Sequence, residues 1–590
     1  MIFSVEVEVK LSRPEPKFGD YATNAALQIA KQVGQNPREV AEQIAEKLRE
    51  NGEFSEVAIA GPGFINLRIA AVKLNDDLTA QFNSGATFGE NDDGAGKAAV
   101  VEYPSPNMAK PYSVGHLRSG NQGWAARNLL RATGWRVITD NHLGDSGSPF
   151  GYWVVGFERF SSEEKLSTGG IYELGRCYVE VRSALKEEEA RGETTIADEA
   201  QQWLIRLEQG DSEAVELSER FNKISLEHIH NVMNRLGIST DYEYGERFFV
   251  PFGKKSVQDL LSKGIATQND DGSVIIDLTE QGIDTPILIQ KSNGAALYAT
   301  TDLATILWRE ENWHPDKVVY CVGVEQKFYF EQLAALAKKL GIDTELYHLW
   351  YGMIDQMTED GKREKMSSRK GVVLMEELLD EAEKTARANS KSDDMADEDI
   401  KKIAVGAIKF TDFASDRRTG MLFDWSTMFS LTGFSGPYVQ YAAVRVNKIL
   451  RDNGRENSTD SSSREHSSRL SSQSSSLTRS PSSRVSRDDE SVEQTTANTY
   501  DYEAEKALLL KLTEYPEVVA MAARELEPHR VATYVYELAR ELNRYYEQTP
   551  VATSEVPENI KSARLNVLKK TAQVFEHGLG ILGIEIPNRM

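Results

Sequence analysis

Between Ala98 and about residue 350, short unbroken apolar runs alternate with stretches whose apolar positions recur at helical spacing. "AAVVEY", "WRVITDN", "KVVYCVGV" and "LYHLWYGMI" are the clearest strands. That alternation predicts a parallel sheet with helical crossovers, in which ligands sit at the carboxyl ends of the strands. The run Val100, Val101, Glu102, Tyr103 is closed by Pro104, and from Val114 onward "VGHLRSGNQGWAARNLLRATG" is helix-periodic up to Gly134, a C-cap. This stretch therefore reads as strand, loop and helix, with Gly115 and His116 at the helix's first turn. Residues 1 to about 90 predict a small α/β unit. It has an alternating strand at the start, a helix in "GDYATNAALQIAKQVG" with Asp20 near its beginning, a second helix in "PREVAEQIAEKLREN", and the strand-like "EVAIAGPGFINLRIA". "GENDDGAGK" reads as a flexible joint. Beyond about residue 400 the pattern is helical, with "SGPYVQYAAVRVNKILRD" and "PHRVATYVYELARELNRYYEQ" as long helices. It is interrupted at 456–496, where serine makes up about half of the middle portion and apolar content is too low to build a core, which predicts a disordered loop.

At 590 residues and 40% hydrophobic content the chain exceeds one ordinary core, and two to four domains are expected. No apolar run reaches the ~20 residues that span a bilayer, and the start does not resemble a signal peptide. Cys177 and Cys321 lie far apart and form no Cys-x-x-Cys pair, which argues against zinc and disulfides and fits a reducing cytoplasm. A net charge of −23 opposes a polyanionic partner on average, yet "GKREKMSSRKG" and "VRVNKILRDNGR" run against it. Each alone reads equally as a solvated basic face.

Two stretches carry chemistry. In "SPNMAKPYSVGHLRSG" the backbone N–H groups of a helix's first turn are unpaired and suit an anion such as phosphate. Gly115 would let a flat ligand approach, and His116 can donate to a phosphate oxygen. A packing glycine beside a surface histidine is the plain alternative. "EKMSSRKG" follows more than 200 residues later, beyond the last expected sheet strands. Its Lys365, Arg369 and Lys370 could close over a polyphosphate and offset charge as a P–O bond breaks. The order of the two motifs, and their placement at the two ends of one sheet, is expected far less often by chance than either motif alone.

Together these stretches resemble the paired "HIGH" and "KMSKS" signatures of class I aminoacyl-tRNA synthetases, and their surroundings resemble the arginyl-tRNA synthetase family. "VEYPSPNMAKP", "SVGHLRS", "NHLGDSG", "YATTDLA", "VGVEQ", "KMSSRKG", "FDWSTM", "SGPYVQYAAVR", "EPHRVATYVYELA" and the closing "LGIEIPNRM" all carry the likeness. So do "GDYATNAAL" and "AGPGFIN", in what looks like the family's added N-terminal domain. The resemblance implies a Rossmann-like parallel-sheet catalytic domain with a connective insertion at 93–420. A small α/β N-terminal domain at 1–92 would touch the tRNA's outer corner, and an all-α anticodon-binding domain at 421–590 would contain the serine-rich loop.

The same resemblance assigns site residues. Lys110, Ser113, His116 and Lys365 would act on the phosphates. Pro106, Asn107, Gly115, His116, Lys365, Met366, Ser367 and Ser368 would hold ATP, and Glu102, Asn107, Tyr298, Asp302 and Gln326 would surround arginine. Tyr438, Tyr441 and Tyr546 would meet the anticodon, where exposed aromatics can stack on splayed bases. Chemistry agrees on the amino acid: a guanidinium has five donors and a fixed charge, so its pocket needs acceptors, preferably carboxylates. Tyr298 and Asp302 lie four apart, on one face of a helix. A site built for that fork can reject lysine by roughly 10⁴-fold.

The implied partners are L-arginine, ATP brought with Mg²⁺ as substrate, and tRNA(Arg), with bound tRNA required before arginine is activated. No metal, zinc included, and no membrane is implied, and a cytoplasmic monomer is expected. The sequence departs from the family at Ser113, where the first signature histidine is expected. It also departs at Ser368, in place of the second lysine of "KMSKS", with Lys110 supplying the charge, and at Tyr329, where the family has histidine. Ser113 leaves open a weakened paralogue that binds tRNA without charging it, and a small-molecule adenylating ligase on the same fold is a second alternative.

Overall fold

In the computed structural model, residues 3–590 are described except 4, 16, 85–86, 146, 148, 358–361, 367–372, 391–393, 463–499, 552 and 554. The chain forms two compact units, one of residues 89–444, 515–539 and 575–590, the other of 1–88, 445–514 and 540–574. The helical C-terminal part is thus shared between them.

The larger unit is built on four parallel strands: β1 (Ala98–Glu102), β2 (Arg136–Asp140), β3 (Lys317–Tyr320) and β4 (Glu345–His348), in the order β4-β3-β1-β2. The runs are apolar because both faces are covered. Side chains alternate across β1: Val100 and Val318 pack with Leu303 and Ile306 of helix α2 (Tyr298–Trp313) and with Leu333 and Leu336 of α3 (Lys327–Lys339). On the other face Ala99, Val101 and Val319 meet Ala126 and Leu130 of helix α1 (Leu117–Ala132), which follows β1. That helix ends where the sequence places its stop, with Gly134 in the left-handed region at φ 81°. Tyr103 packs on it at Gly123, where a Cβ would come within 2.5 Å of the Tyr103 Cβ.

Between β2 and α2 the insertion supplies the helices Pro149–Phe160, Glu163–Arg191, Thr195–Glu208, Ser212–Leu236 and Glu246–Ser262, then a small antiparallel sheet of Thr267–Gln268, Val274–Ile276 and Ile287–Gln290. The expected strand "LYHLWYGMI" divides in two. Glu345–His348 completes the parallel sheet, whereas Ile354–Met357 joins a separate sheet between Arg363–Lys365 and Met421–Phe423. The second signature therefore leaves this separate sheet and not an end of the parallel one.

The smaller unit holds a four-stranded antiparallel sheet, in the order Leu11–Ser12, Tyr21–Thr23, Phe64–Ile69, Phe54–Ala60. Helices Ala25–Val33 and Pro37–Asn51 bury Ala26, Ile29, Val40 and Ala45 against it. Among the described residues only Leu11–Ser12 of the expected first strand is paired, and Asp20 lies ahead of the helix, whose N-cap is Asn24. Its buried carboxylate accepts from the Ile69 N–H at 2.8 Å and pairs with Lys506 at 3.2 Å. In the same unit the buried Glu505 accepts from Tyr545 at 2.9 Å and from Arg564 at 3.1 Å. The helix Gly436–Ser462 continues into the start of the expected serine-rich loop, and the rest of that loop, from residue 463 to 496, lies outside the described residues.

Candidate active site

The first signature follows β1 as a loop, a single 3₁₀ turn at Val114–His116, and then the helix Leu117–Ala132. Gly115 and His116 thus sit in the turn before the α-helix. Pro106 is buried, and Asn107 is exposed in a parallel bridge with Gly144, where a Cβ would stand 2.8 Å from the Asn107 Oδ1. Ser113 Oγ lies 3.3 Å from His116 Nδ1. Burial is the main force on the His116 ring and pushes it down to about 4. The Ser113 backbone opposes this and the charge of Lys110 adds to it, so the imidazole is neutral at pH 7. Lys110 stands 4.5 Å from the centre of the Tyr178 ring, and burial and Arg182 both hold its ammonium below the usual lysine range. Lys110, Ser113 and His116 therefore share one small region.

Backbone hydrogen bonds join the first signature to the segment that follows the second. Val114 N–H donates to the Val373 carbonyl at 3.0 Å, Met375 N–H donates to the Tyr112 carbonyl at 2.9 Å, and Ser113 bridges Leu374. Met366 is buried in the core that also contains Tyr112, Val114 and Met375. Lys365 pairs with Asp355 through the backbone, while Ser367, Ser368, Arg369 and Lys370 lie outside the described residues. A buried ion pair holds the two strand systems together: Arg118 donates to Asp412 at 2.8 Å and to the carbonyls of Gly352 and Thr419, each at 2.8 Å.

Acidic side chains gather at the carboxyl ends of the parallel strands. Glu102 and Asp140 are neighbours in register, and two carboxylates side by side need a cation. The structure supplies one from within: Arg309 of α2 is buried and reaches Glu102 at 2.8 Å and Asp140 at 2.6 Å. Glu102, expected among the residues that surround bound arginine, is thus already paired. Asp302 accepts the Tyr329 hydroxyl, and burial pushes its carboxyl up to about 6, with His142 and the Tyr329 bond opposing and Glu102 adding. Glu246 is pushed up to about 8 by burial and by the neighbouring Asp302, Asp145 and Glu102. Tyr298 begins α2, 66% exposed, with Glu246 and Asp302 close enough to raise its phenol, though burial is the larger cause. Gln326 is exposed in the 3₁₀ turn just after β3.

A cavity of about 310 Å³ opens beside this group, lined among others by Asp145, Glu246, Arg247, Lys291, Leu297 and Tyr298. Sequence reasoning missed Glu246, Asp140 and Arg309. Glu246 is separated from Asp302 by a small sheet, and its one signal is a carboxylate at the head of the aromatic helix "ERFFVPF". Among the described residues no group of three or more His, Cys, Asp or Glu side chains is arranged to hold a metal ion, and no helix is long and apolar enough to cross a membrane.

Residues 80–425 match the class I tRNA synthetase (R) catalytic domain, 439–590 the DALR anticodon binding domain, and 2–69 the arginyl tRNA synthetase N-terminal domain. The arginine–tRNA ligase of Levilactobacillus brevis is 33% identical over 599 residues, covering 99% of this chain and 96% of the relative. That of Streptococcus thermophilus is 33% identical over 585 residues, covering 98% and 95%. The chain belongs to the arginyl-tRNA synthetase family. Its fold agrees with that of the Thermus thermophilus arginyl-tRNA synthetase, with a TM-score of 0.74 at 23% identity, covering 100% of this chain and 97% of the other. The Plasmodium falciparum arginyl-tRNA synthetase gives 0.72 at 20%, covering 100% and 96%.

In an arginyl-tRNA synthetase the expected anticodon tyrosines should offer free ring faces, and here they differ. Tyr441 is 41% exposed at the rim of an apolar cavity of about 300 Å³ lined by Phe429, Leu431, Pro437 and Met590. Tyr438 is half-buried, its ring centre 5.4 Å from that of Tyr536. In the smaller unit the Tyr546 ring lies under the Arg445 guanidinium at 4.3 Å, and its hydroxyl is buried without a partner. Tyr441 is thus the most exposed of the three, while Tyr438 and Tyr546 are half-buried, each with one ring contact to a neighbour.

Proposed function

We infer that the protein is an arginine–tRNA ligase: it activates L-arginine with ATP and transfers the arginyl group to tRNA(Arg). The observation that carries the reading is the gathering of Asp302, Glu246 and Tyr298 in a chain of this family, whose first signature is bonded backbone to backbone to the segment after the second. A planar cation with five donors suits such a group of acceptors. The matched relatives give no support to a paralogue that binds tRNA without charging it. ATP–pyrophosphate exchange with each of the twenty amino acids, with and without tRNA, tests the reading: exchange specific to arginine is expected, and exchange with another amino acid would overturn it.

In this reading the arginine carboxylate attacks the α-phosphorus, the bond from that phosphorus to the bridging oxygen of pyrophosphate breaks, and arginyl-adenylate forms. A ribose hydroxyl of the terminal adenosine then attacks the arginyl carbonyl and AMP leaves. No protein nucleophile takes part, and catalysis rests on positioning and electrostatics. Asp302 and Glu246 take the guanidinium, with Tyr298 along its side. Asn107 and Gln326, exposed at the strand ends, hold the amino-acid end. Glu102, neutralised by Arg309, shapes the floor of the pocket. His116 and Lys110, with Lys365 from the second signature, stabilise phosphate charge. Gly115 and Pro106 let the nucleotide lie close, with Met366, Ser367 and Ser368 on its far side. Mg²⁺ arrives with ATP as part of the substrate. Tyr441 stacks on an anticodon base, and the N-terminal domain touches the tRNA's outer corner. The protein works as a cytoplasmic monomer of three domains, 1–92, 93–420 and 421–590.

Ser113→His tests the phosphate loop. A donor to charge that develops in the transition state contributes about 2.7–4 kcal/mol, and the hydroxyl already supplies part of this. Adenylate formation is expected to rise several-fold with little change in arginine or ATP affinity, the sign of stabilisation confined to the transition state. Single-turnover adenylate formation with bound tRNA is the measurement. An unchanged rate would remove residue 113 from the reacting phosphate.

A further inference from the structure

The loop of the first signature is not held by its own strand and helix alone. Ala109 N–H donates to Ser225 Oγ at 2.8 Å, and Tyr112 N–H donates to His228 Nε2 at 2.9 Å. Ser225 and His228 are buried and lie three apart on the insertion helix Ser212–Leu236, so they present one face to the loop. The hydroxyl of Ser225 is itself fixed by donating to the Phe221 carbonyl at 2.7 Å. Lys110 and Ser113 are the immediate chain neighbours of these two tethered residues.

On its other side His228 faces the segment that leaves the second signature. His228 Nδ1 is 3.8 Å from Glu376 Oε2, and Tyr172 of the helix Glu163–Arg191 donates its hydroxyl to the same carboxylate. Glu376 belongs to the first turn of the helix Met375–Asn389, whose first N–H, that of Met375, donates to the carbonyl of Tyr112. Three elements thus meet at His228: Tyr112 N–H donates to its Nε2, Glu376 faces its Nδ1 at 3.8 Å, and the helix of Glu376 donates back to the Tyr112 carbonyl. Accepting a backbone N–H at Nε2 requires the neutral ring with its proton on Nδ1, the tautomer that Glu376 favours. Burial also favours the uncharged imidazole.

We propose that His228, with Ser225, is a positioning residue that holds the first-signature loop to the insertion helix and, through Glu376, couples that loop to the exit of the second signature. The proposal rests on the adenylating function assigned above. Its chemical logic is that the Tyr112 N–H is buried in an irregular loop and has no strand or helix partner to fall back on. Without the imidazole the loop relaxes, and Lys110 and Ser113 on either side of Tyr112 move with it.

The test compares His228→Leu, which keeps bulk and loses the acceptor, with His228→Gln, whose amide oxygen can accept from Tyr112 while its NH₂ faces Glu376. H228L is expected to slow single-turnover arginyl-adenylate formation about tenfold, with arginine KM and tRNA Kd within twofold of the parent. H228Q is expected to recover the rate to within about threefold. Ser225→Ala, a minimal change in volume, is expected to show the same selective loss of rate and serves if H228L folds poorly. A parent-like rate in H228L and S225A overturns the proposal, and so does an equal loss of rate in H228L and H228Q tracking an equal drop in Tm. Failure of the unsubstituted protein to activate arginine would count against the assigned function instead.

Discussion

His116→Ala is expected to slow arginyl-adenylate formation by about 10²–10³-fold, the loss that follows removal of one donor aimed at charge developing in a transition state. His116 is suited to that task by its surroundings. Its Nδ1 faces Ser113 at 3.3 Å, which leaves Nε2 as the nitrogen open to a ligand. The ring is held near 4 by burial, so it is neutral in the free protein and does not change charge between pH 6 and 8. Arginine KM should stay within about twofold, because an interaction made only with the reacting phosphate lowers kcat and kcat/KM together. His116→Asn keeps a donor and should recover part of the loss. Single-turnover adenylate formation with saturating ATP and bound tRNA is the measurement. A rise in the KM for ATP at an unchanged rate would make His116 a ground-state contact and remove it from the chemistry.

The parts of this site that were legible in the sequence are those where burial writes an unbroken pattern. β1 is apolar at four successive positions because helices cover both its faces, and the loop and turn that follow it carry Pro106, Asn107, Gly115 and His116 in a short run. The sequence pattern misplaces the second signature because "LYHLWYGMI" is continuous in pattern but not in space. The chain leaves the parallel sheet after His348, passes Gly352, where a Cβ would stand 2.7 Å from the Thr419 carbonyl, and begins a different sheet at Ile354. Periodicity cannot register such a change of sheet, since both segments bury the same residue types.

Charges were the least legible. Arg309 sits in "LWREENW", which reads as a solvated helix face, yet it is buried between Glu102 and Asp140, residues more than 160 positions away. The same limit applies to Tyr546, whose Arg445 partner no pattern in the sequence marks. What decides each case is the partner brought in by the fold, and a one-dimensional pattern does not contain it.

Asp302→Asn is expected to weaken arginine binding by about 10- to 100-fold, since a hydrogen bond to a charged group is worth about 1.5–3 kcal/mol. The substitution keeps the shape of the side chain, and its amide oxygen can still accept from Tyr329, so the pocket should persist while one charge opposite the guanidinium is lost. The affinity for ATP should not move. A second readout comes from proton linkage. Asp302 is raised to about 6 and Glu246 to about 8, both mainly by burial. A cation binds the ionised carboxylates, so arginine affinity in the unsubstituted protein should rise as pH increases through this range, with protons released on binding. In D302N the rise centred near 6 should vanish, and the one that belongs to Glu246 should remain but move below 8, because the charge of Asp302 helps to raise it. Titration calorimetry in two buffers of different ionisation enthalpy, with bound tRNA and across pH 5.5–8.5, measures affinity and proton release together. A parallel fall in ATP affinity, or a lowered Tm with arginine affinity intact, would show that Asp302 supports the fold and does not face the substrate.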